Sequence, residues 1–286
     1  AADAAGATKM DRPEWSTTHP TTGDVYFTLT NNSNRVASGS DASKVVDAAN
    51  PRSYTDVWGG SSTQKGNVNG HIIRLAEQGD ANATSFKWDI YLFGSEAGAI
   101  ASINLSGLSD SNDFSSPDGL YFDKRGMLWI QTDDGAYTDV TNCMMLAAIP
   151  GKVGDGGVAT AAGGTQTRAG AKATADTLRR FLVGPKECEI TGIAMTPDHR
   201  TLFFNVQHPG EDSTPDFAAK TFGSYWPASQ SDATARKRPR SATVVITHDG
   251  YLLGASDAPV DGPKLEQNRL LQFPTVMGAV VPIVNL

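Results

Sequence analysis

The most constraining feature of the sequence is a unit that recurs along it: a short apolar strand, a turn carrying Gly or Asp, a second apolar strand and a polar exit. It occurs as HPTTGDVYFTLTNN (19–32), SPDGLYFDKRGMLWIQTDDG (116–135), GIAMTPDHRTLFFNVQHPGE (192–211) and, in shorter form, ATVVITHDGYLLGAS (242–256). The spacing is irregular, but repeats of this kind still imply repeated supersecondary units. Within each copy the apolar residues alternate at period two, the strand period: Val25, Phe27 and Leu29; Leu128 and Ile130; Leu202, Phe204 and Val206. The turns KRG, PDHR and HDG between them are hairpin chemistry. FKWDIYLFG (86–94) adds an alternating strand with Phe86, Trp88, Ile90 and Leu92 on one side, and HIIRL (71–75) is expected to pair nearby. ADTLRRFL (175–182) has helical spacing at Leu178, Phe181 and Leu182, but the Gly-Pro that follows limits a helix, and a strand over RRFLVG is preferred. The Gly, Ala and Thr-rich stretch 151–176 reads as a mobile excursion.

Hairpins at blade-like spacing with few helices point to an all-β chain and a β-propeller, with a two-sheet sandwich as the rival. Blades take about 40–50 residues, and the four copies supply about four blades, some with insertions. If that is too few to close a ring, the open edges need a partner. The 29 Gly and 15 Pro suit a loop-rich β protein and exclude a coiled coil and collagen. A net charge of −7 lacks the basic footprint of a nucleic-acid binder. The basic run ARKRPR (235–240) is accordingly read as a solvated loop. The longest apolar stretch, FPTVMGAVVPIVNL (273–286), is too short for a membrane span and contains proline. The chain begins at Ala1 with no initiator Met and no signal-peptide pattern, so a processed form or a piece of a longer protein is expected. Cys143 and Cys188 allow one disulfide but lack zinc-site spacing.

Candidate chemistry gathers at the strand exits: Asn31 and Asn32, Asp133 and Asp134, then Asn205, Gln207, His208 and Glu211. In a propeller such ends converge at one mouth, and crowded carboxylates there call for a cation. Oxygen ligands favour Ca²⁺ or Mg²⁺ and can hold ferric iron. Ordinary turn chemistry explains any single Asp as well. In MDRPEW (10–15), Arg12 and Glu14 flank a proline in an extended segment, which places both side chains on one side. Arginine offers a planar fork for phosphate or carboxylate, and the glutamate could ligate a metal. A surface ion pair is the alternative. Glu189 in CEITG either faces the channel or merely starts a strand. There is no G-x-S-x-G elbow, P-loop or H-E-x-x-H. Among the scattered histidines, His19, His71, His199, His208 and His248, His208 is the better candidate because Glu211 lies near it.

At these same segments the chain resembles the PhoX family of bacterial secreted alkaline phosphatases, on ATKMDRPEW, HPTTGDVYFTLTNNSNR, FSSPDGLYFDKRGMLWIQTDDG, CEITGIAMTPDHRTLFFNVQHPGE and RPRSATVVI. The resemblance implies a six-bladed propeller whose channel holds calcium and ferric iron and cleaves phosphomonoesters in the periplasm or outside the cell. It casts Arg12 as the catalytic, substrate-binding arginine on the phosphate and Glu14 as a catalytic metal ligand. Asp118, Asp133 and Glu189 become further metal ligands, while Asn31, His208 and Glu211 remain site candidates from the strand exits alone. A metal-bound oxygen would then attack phosphorus. Family members are about twice as long, and their N-terminal half carries a cysteine iron ligand that neither Cys143 nor Cys188 replaces. Residues 1–257 thus read as the C-terminal blades of a partial propeller, closed by that missing half or by a homodimer. Residues 258–286 form a tail of unassigned role. Two other readings stay open: a calcium-dependent propeller lactonase, suggested by PDGLYFDKRGMLWI, and a non-catalytic calcium-binding half-propeller.

Overall fold

Period-two alternation becomes strand pairing in the computed structural model, which describes residues 1–56, 63–80, 82–133 and 141–247. A 3-10 turn at Asp3–Ala5 precedes β1 (Pro13–Thr18), β2 (Val25–Leu29), β3 (Tyr54–Thr55), β4 (Lys65–Gly66), β5 (His71–Glu77) and β6 (Phe86–Phe93). Then come β7 (Pro117–Phe122), β8 (Leu128–Thr132), β9 (Met144–Ala148), β10 (Gly157–Thr160), β11 (Gln166–Ala169) and β12 (Leu178–Val183). The series ends with β13 (Glu189–Met195), β14 (Thr201–Gln207), the single helical turn α1 (Ala228–Ser231) and β15 (Ala242–Thr247). Three sheets follow one another along the chain. The first has the order β1-β2-β5-β6-β11-β10, the second β12-β9-β8-β7 and the third β13-β14-β15, with β3-β4 as a small separate pair. Pairing is antiparallel throughout except where β11 meets β6.

The sheets stack face to face, so strands bury both sides. In β8, Leu128 and Ile130 point into a cluster shared with Tyr26, Ile72 and Leu92 of the first sheet, whereas Trp129 points the other way, toward Ile190, Leu202 and Phe204 of the third. A third cluster, Leu29, Ile73, Ile90, Phe93 and Ala169, covers the far face of the first sheet. Each fully buried apolar side chain contributes about 1.5–3 kcal/mol, so the stacking is the main source of cohesion. The chain is all-β and supplies part of a propeller, each sheet acting as a blade. The edge strands β1, β7 and β13 lie side by side, with β1 against β7 and β13 against β7 and β8. Thr28 and Thr30, both fully buried in or just after β2, tie these blades together by donating to the carbonyls of Asp118 (2.8 Å) and Pro117 (3.0 Å).

Three segments correct or settle the sequence reading. The strand preferred over a helix at RRFLVG is β12. In β6 the alternation breaks: Ile72 faces Leu92 but Ile73 faces Ile90, leaving Tyr91 as a bulge. Tyr91 and Leu92 therefore share one core while Ile90 joins another. The stretch 151–176 is not an irregular excursion. It folds as the β10–β11 hairpin, added to the edge of β6. A polar network holds it there. Fully buried Arg74 binds fully buried Asp89 bidentately (2.8 and 2.9 Å) and reaches Asp155 (2.8 Å) in the hairpin's approach. The second strand of the fourth repeat, His248 and the tail lie outside the described residues, as does Asp134. Cys143 and Cys188 are both buried in the core between the second and third sheets and are not joined by a disulfide.

Candidate active site

One local device repeats at the three edge strands. A non-glycine residue with left-handed backbone is followed, two residues on, by an acid at the strand's start. Arg12 (φ 49°) precedes Glu14 on β1, Ser116 (φ 52°) precedes Asp118 on β7, and Glu187 (φ 54°) precedes Glu189 on β13. Such backbone costs roughly 1–2 kcal/mol per residue and persists only where surroundings enforce it. Its recurrence at equivalent places marks a built rim. The extended backbone expected through MDRPEW therefore begins only at Pro13, because Arg12 turns left-handed, its N–H bonded to the Met10 carbonyl (3.1 Å). The anchor beneath is Asp11, fully buried and accepting from Arg35 Nε (2.9 Å) and Nη2 (2.6 Å), Asn32 (2.8 Å) and Asn67 (3.0 Å).

Because strands pair antiparallel, the start of each edge strand adjoins the exit of the next. Pro13 faces Leu29, Pro117 faces Thr132 and Glu189 faces Gln207. The exits predicted from sequence and the acids on the edge strands thus meet. Arg12 stays on the side of Glu14 despite its turn: Nε donates to Glu14 Oε1 (3.0 Å) and Nη2 to Asp133 Oδ2 (2.8 Å). Partial burial works against the guanidinium's charge, but the two carboxylates outweigh it and raise its pKa. Nη1 has no partner among the described residues. Asp118, buried at 6% exposure, is pushed up to about 7 by desolvation first and then by Glu14, Glu189 and Asp133, with Arg12 opposing. These five groups therefore share one field. Glu189 accepts from Gln207 and lies 3.4 Å from His208 Nε2, whose Nδ1 is 2.8 Å from Glu211. Glu211 is raised by desolvation, with Asp133 and Glu189 among the contributors. Asn31 sits just after β2, next to Asn32, which donates to the Asp11 anchor (2.8 Å). Gln207, named from sequence only as one of the polar strand exits, is the group that orients Glu189. Asp11 was missed altogether, since one acid beside an arginine carries no pattern.

The profile of the alkaline phosphatase PhoX family matches residues 1–210. The chain belongs to this family. A PhoX solved structure, that of Pseudomonas fluorescens PhoX in complex with vanadate, a transition state analogue, is similar at 33% identity and a TM-score of 0.59. The match covers 89% of this chain and 37% of that one, so the chain spans well under half of that PhoX. No curated protein matches. As a PhoX member the chain is expected to meet a metal, and its rim offers carboxylate oxygens, the donor type of a hard cation. Among the described residues, however, no three His, Cys, Asp or Glu side chains converge closely enough to hold one. Two of the four acids, Glu14 and Asp133, are engaged with Arg12. The donor set fits by chemistry and not as a finished ligand shell.

Proposed function

We propose that this PhoX chain hydrolyses phosphomonoesters at the rim formed by β1, β7 and β13, with Arg12 clamping the phosphate. The observation that carries the reading is Arg12 itself. Its guanidinium is held in a strained backbone by two carboxylates, with Nη1 unengaged, beside acids from three blades. A planar fork oriented in this way suits bidentate recognition of a tetrahedral anion. Glu14 and Asp133 fix that fork. Asp118 and Glu189 supply the remaining negative charge of the rim, and His208 and Glu211 close its side. Glu14, Asp118, Asp133 and Glu189 are the residues that would hold a cation, calcium before ferric iron. A bound cation offsets the charge of the phosphoryl oxygens during transfer.

The 37% coverage of the solved PhoX supports action as part of a larger ring, completed by further chain or by a second copy. The same coverage favours one rival, a cation-binding part of a propeller that does not turn over substrate alone. Periplasmic or extracellular residence is proposed from the family. The test is hydrolysis of p-nitrophenyl phosphate and of a simple lactone, side by side, with calcium and with chelator. Phosphate release lost in chelator and in Arg12→Ala is expected. Lactone turnover without phosphate release would overturn the reading, and binding of calcium without either reaction would favour the rival.

A further inference from the structure

The connection from β14 to β15 (208–241) is far longer than the turn joining β13 to β14, and insertions of this length in a compact sheet are usually functional. It is held by its own contacts: Asp216 and Thr221 exchange backbone hydrogen bonds (2.9 Å), Trp226 is buried, and the Arg240 N–H donates to the Trp226 carbonyl (3.1 Å). Its outer side carries Lys220, Arg236, Lys237, Arg238 and Arg240, all exposed. Among the described residues none of these five takes part in an ion pair, whereas most other basic groups near acids do. Arg236 and Lys237 lie within the field of Asp232, whereas Arg238 and Arg240 form no ion pair among the described residues, in a chain of net charge −7.

Aromatic rings order the cations. Arg238 lies over Phe217 (5.6 Å) and Arg236 over Tyr225 (4.8 Å), and Phe217, Phe222 and Tyr225 meet edge to face. Stacking fixes a guanidinium plane while leaving its N–H edge free for an anion. A groove of about 650 Å³, within the usual size of a small-molecule site, runs from His208 and Glu211 to Phe222, Arg238 and Arg240. Its first end is the rim, since His208 lies 3.4 Å from Glu189 there and 2.8 Å from Glu211.

We propose that this groove is a leaving-group subsite that selects phosphomonoesters bearing a second phosphate. The inference rests on the phosphomonoesterase reading above. With the scissile phosphoryl group on Arg12, a leaving group that carries another phosphate extends past His208 and places it on Arg238 and Arg240. An ester without further charge leaves those cations unused. A groove this short, opening on an acidic rim, favours a small bisphosphate over an extended polyanion such as a nucleic acid strand.

The test compares phosphate release from fructose 1,6-bisphosphate and fructose 6-phosphate by the wild type and by the exposed-surface variant R238Q/R240Q. The variant is expected to lower kcat/KM for the bisphosphate about tenfold or more, through KM, because charge-assisted contacts are the strong ones. The monophosphate should be unchanged. An equal loss on both esters, or no loss on either, overturns the subsite while leaving the phosphatase reading intact. If neither ester is turned over by the wild type, calorimetric binding of fructose 1,6-bisphosphate decides: weaker binding by R238Q/R240Q supports the subsite, and equal binding ends it. Loss of DNA binding in the variant without a change in ester preference would mean that the surface serves a polyanion and would also overturn the proposal.

Discussion

At the residue scale the site depends on shape more than on charge. Arg12→Lys keeps the cation but loses the fork, and its kcat/KM on an aryl phosphate is expected to fall about tenfold or more. Stability should hardly move, because the Arg12 pairs are partly exposed and such pairs are worth about 0–1 kcal/mol. A variant with full activity would remove Arg12 from the site. Asp118 carries a pH signature of its own. Its folded pKa, about 7, lies above the ordinary 3.8 because burial and neighbouring carboxylates disfavour the charged form. The folded chain therefore holds this proton more tightly than the unfolded chain does. In chelator, the contribution of Asp118 to stability is full below the unfolded pKa and is lost as pH rises from about 4 to about 7. Asp118→Asn should then raise the melting temperature of the chelated protein at pH 8 and not at pH 3, as scanning calorimetry can check. An equal change at both pH values would mean that packing, not ionisation, governs the position. Arg12 and Glu14 were legible as a pair because they lie two residues apart around Pro13, although the left-handed turn at Arg12, and not the extended alternation expected, sets their contact. The nearness of Asp118 and Glu189 was expected only through the propeller, since it depends on contacts between blades.

At the element scale, apolar periodicity was the readable layer and polar anchoring the hidden one. The β7–β8 and β13–β14 hairpins and the β5–β6 pairing followed from alternation and turn residues, whereas β9 was not read. The bulge at Tyr91 did not, because one extra residue leaves the apolar composition of β6 unchanged while switching which core Leu92 enters. The β10–β11 hairpin was read as irregular because its residues are small or polar. It is ordered instead by Arg74, Asp89 and Asp155. Asp89→Ala leaves a fully buried arginine short of its main partner, a change that typically costs about 3–5 kcal/mol. Denaturant melts should show that loss, and hydrogen exchange should show 157–169 released first. A melt shifted by well under 1 kcal/mol would assign the hairpin's order to other contacts.

At the scale of the whole molecule, the packing between blades is the common element of stability and of the proposed site. Trp129, wholly buried between the second and third sheets, should cost about 3–5 kcal/mol on truncation to alanine. Cys143 and Cys188 report on the same layer. Burial first, and then the neighbouring thiol, raises the pKa of Cys188, which suppresses the reactive thiolate. Both thiols should resist an aromatic disulfide reagent in native buffer and titrate as two free groups in denaturant. Rapid native labelling would show that this layer opens readily. One consequence concerns the order of assembly. Arg12 and Glu14 come from one sheet, Asp118 and Asp133 from the next and Glu189 from the third, so no hairpin in isolation can form even a crude version of the anion cradle. A chain returning from denaturant should regain its far-ultraviolet dichroism well before it recovers affinity for orthophosphate. The interval between the two measures how long the sheets take to find one another.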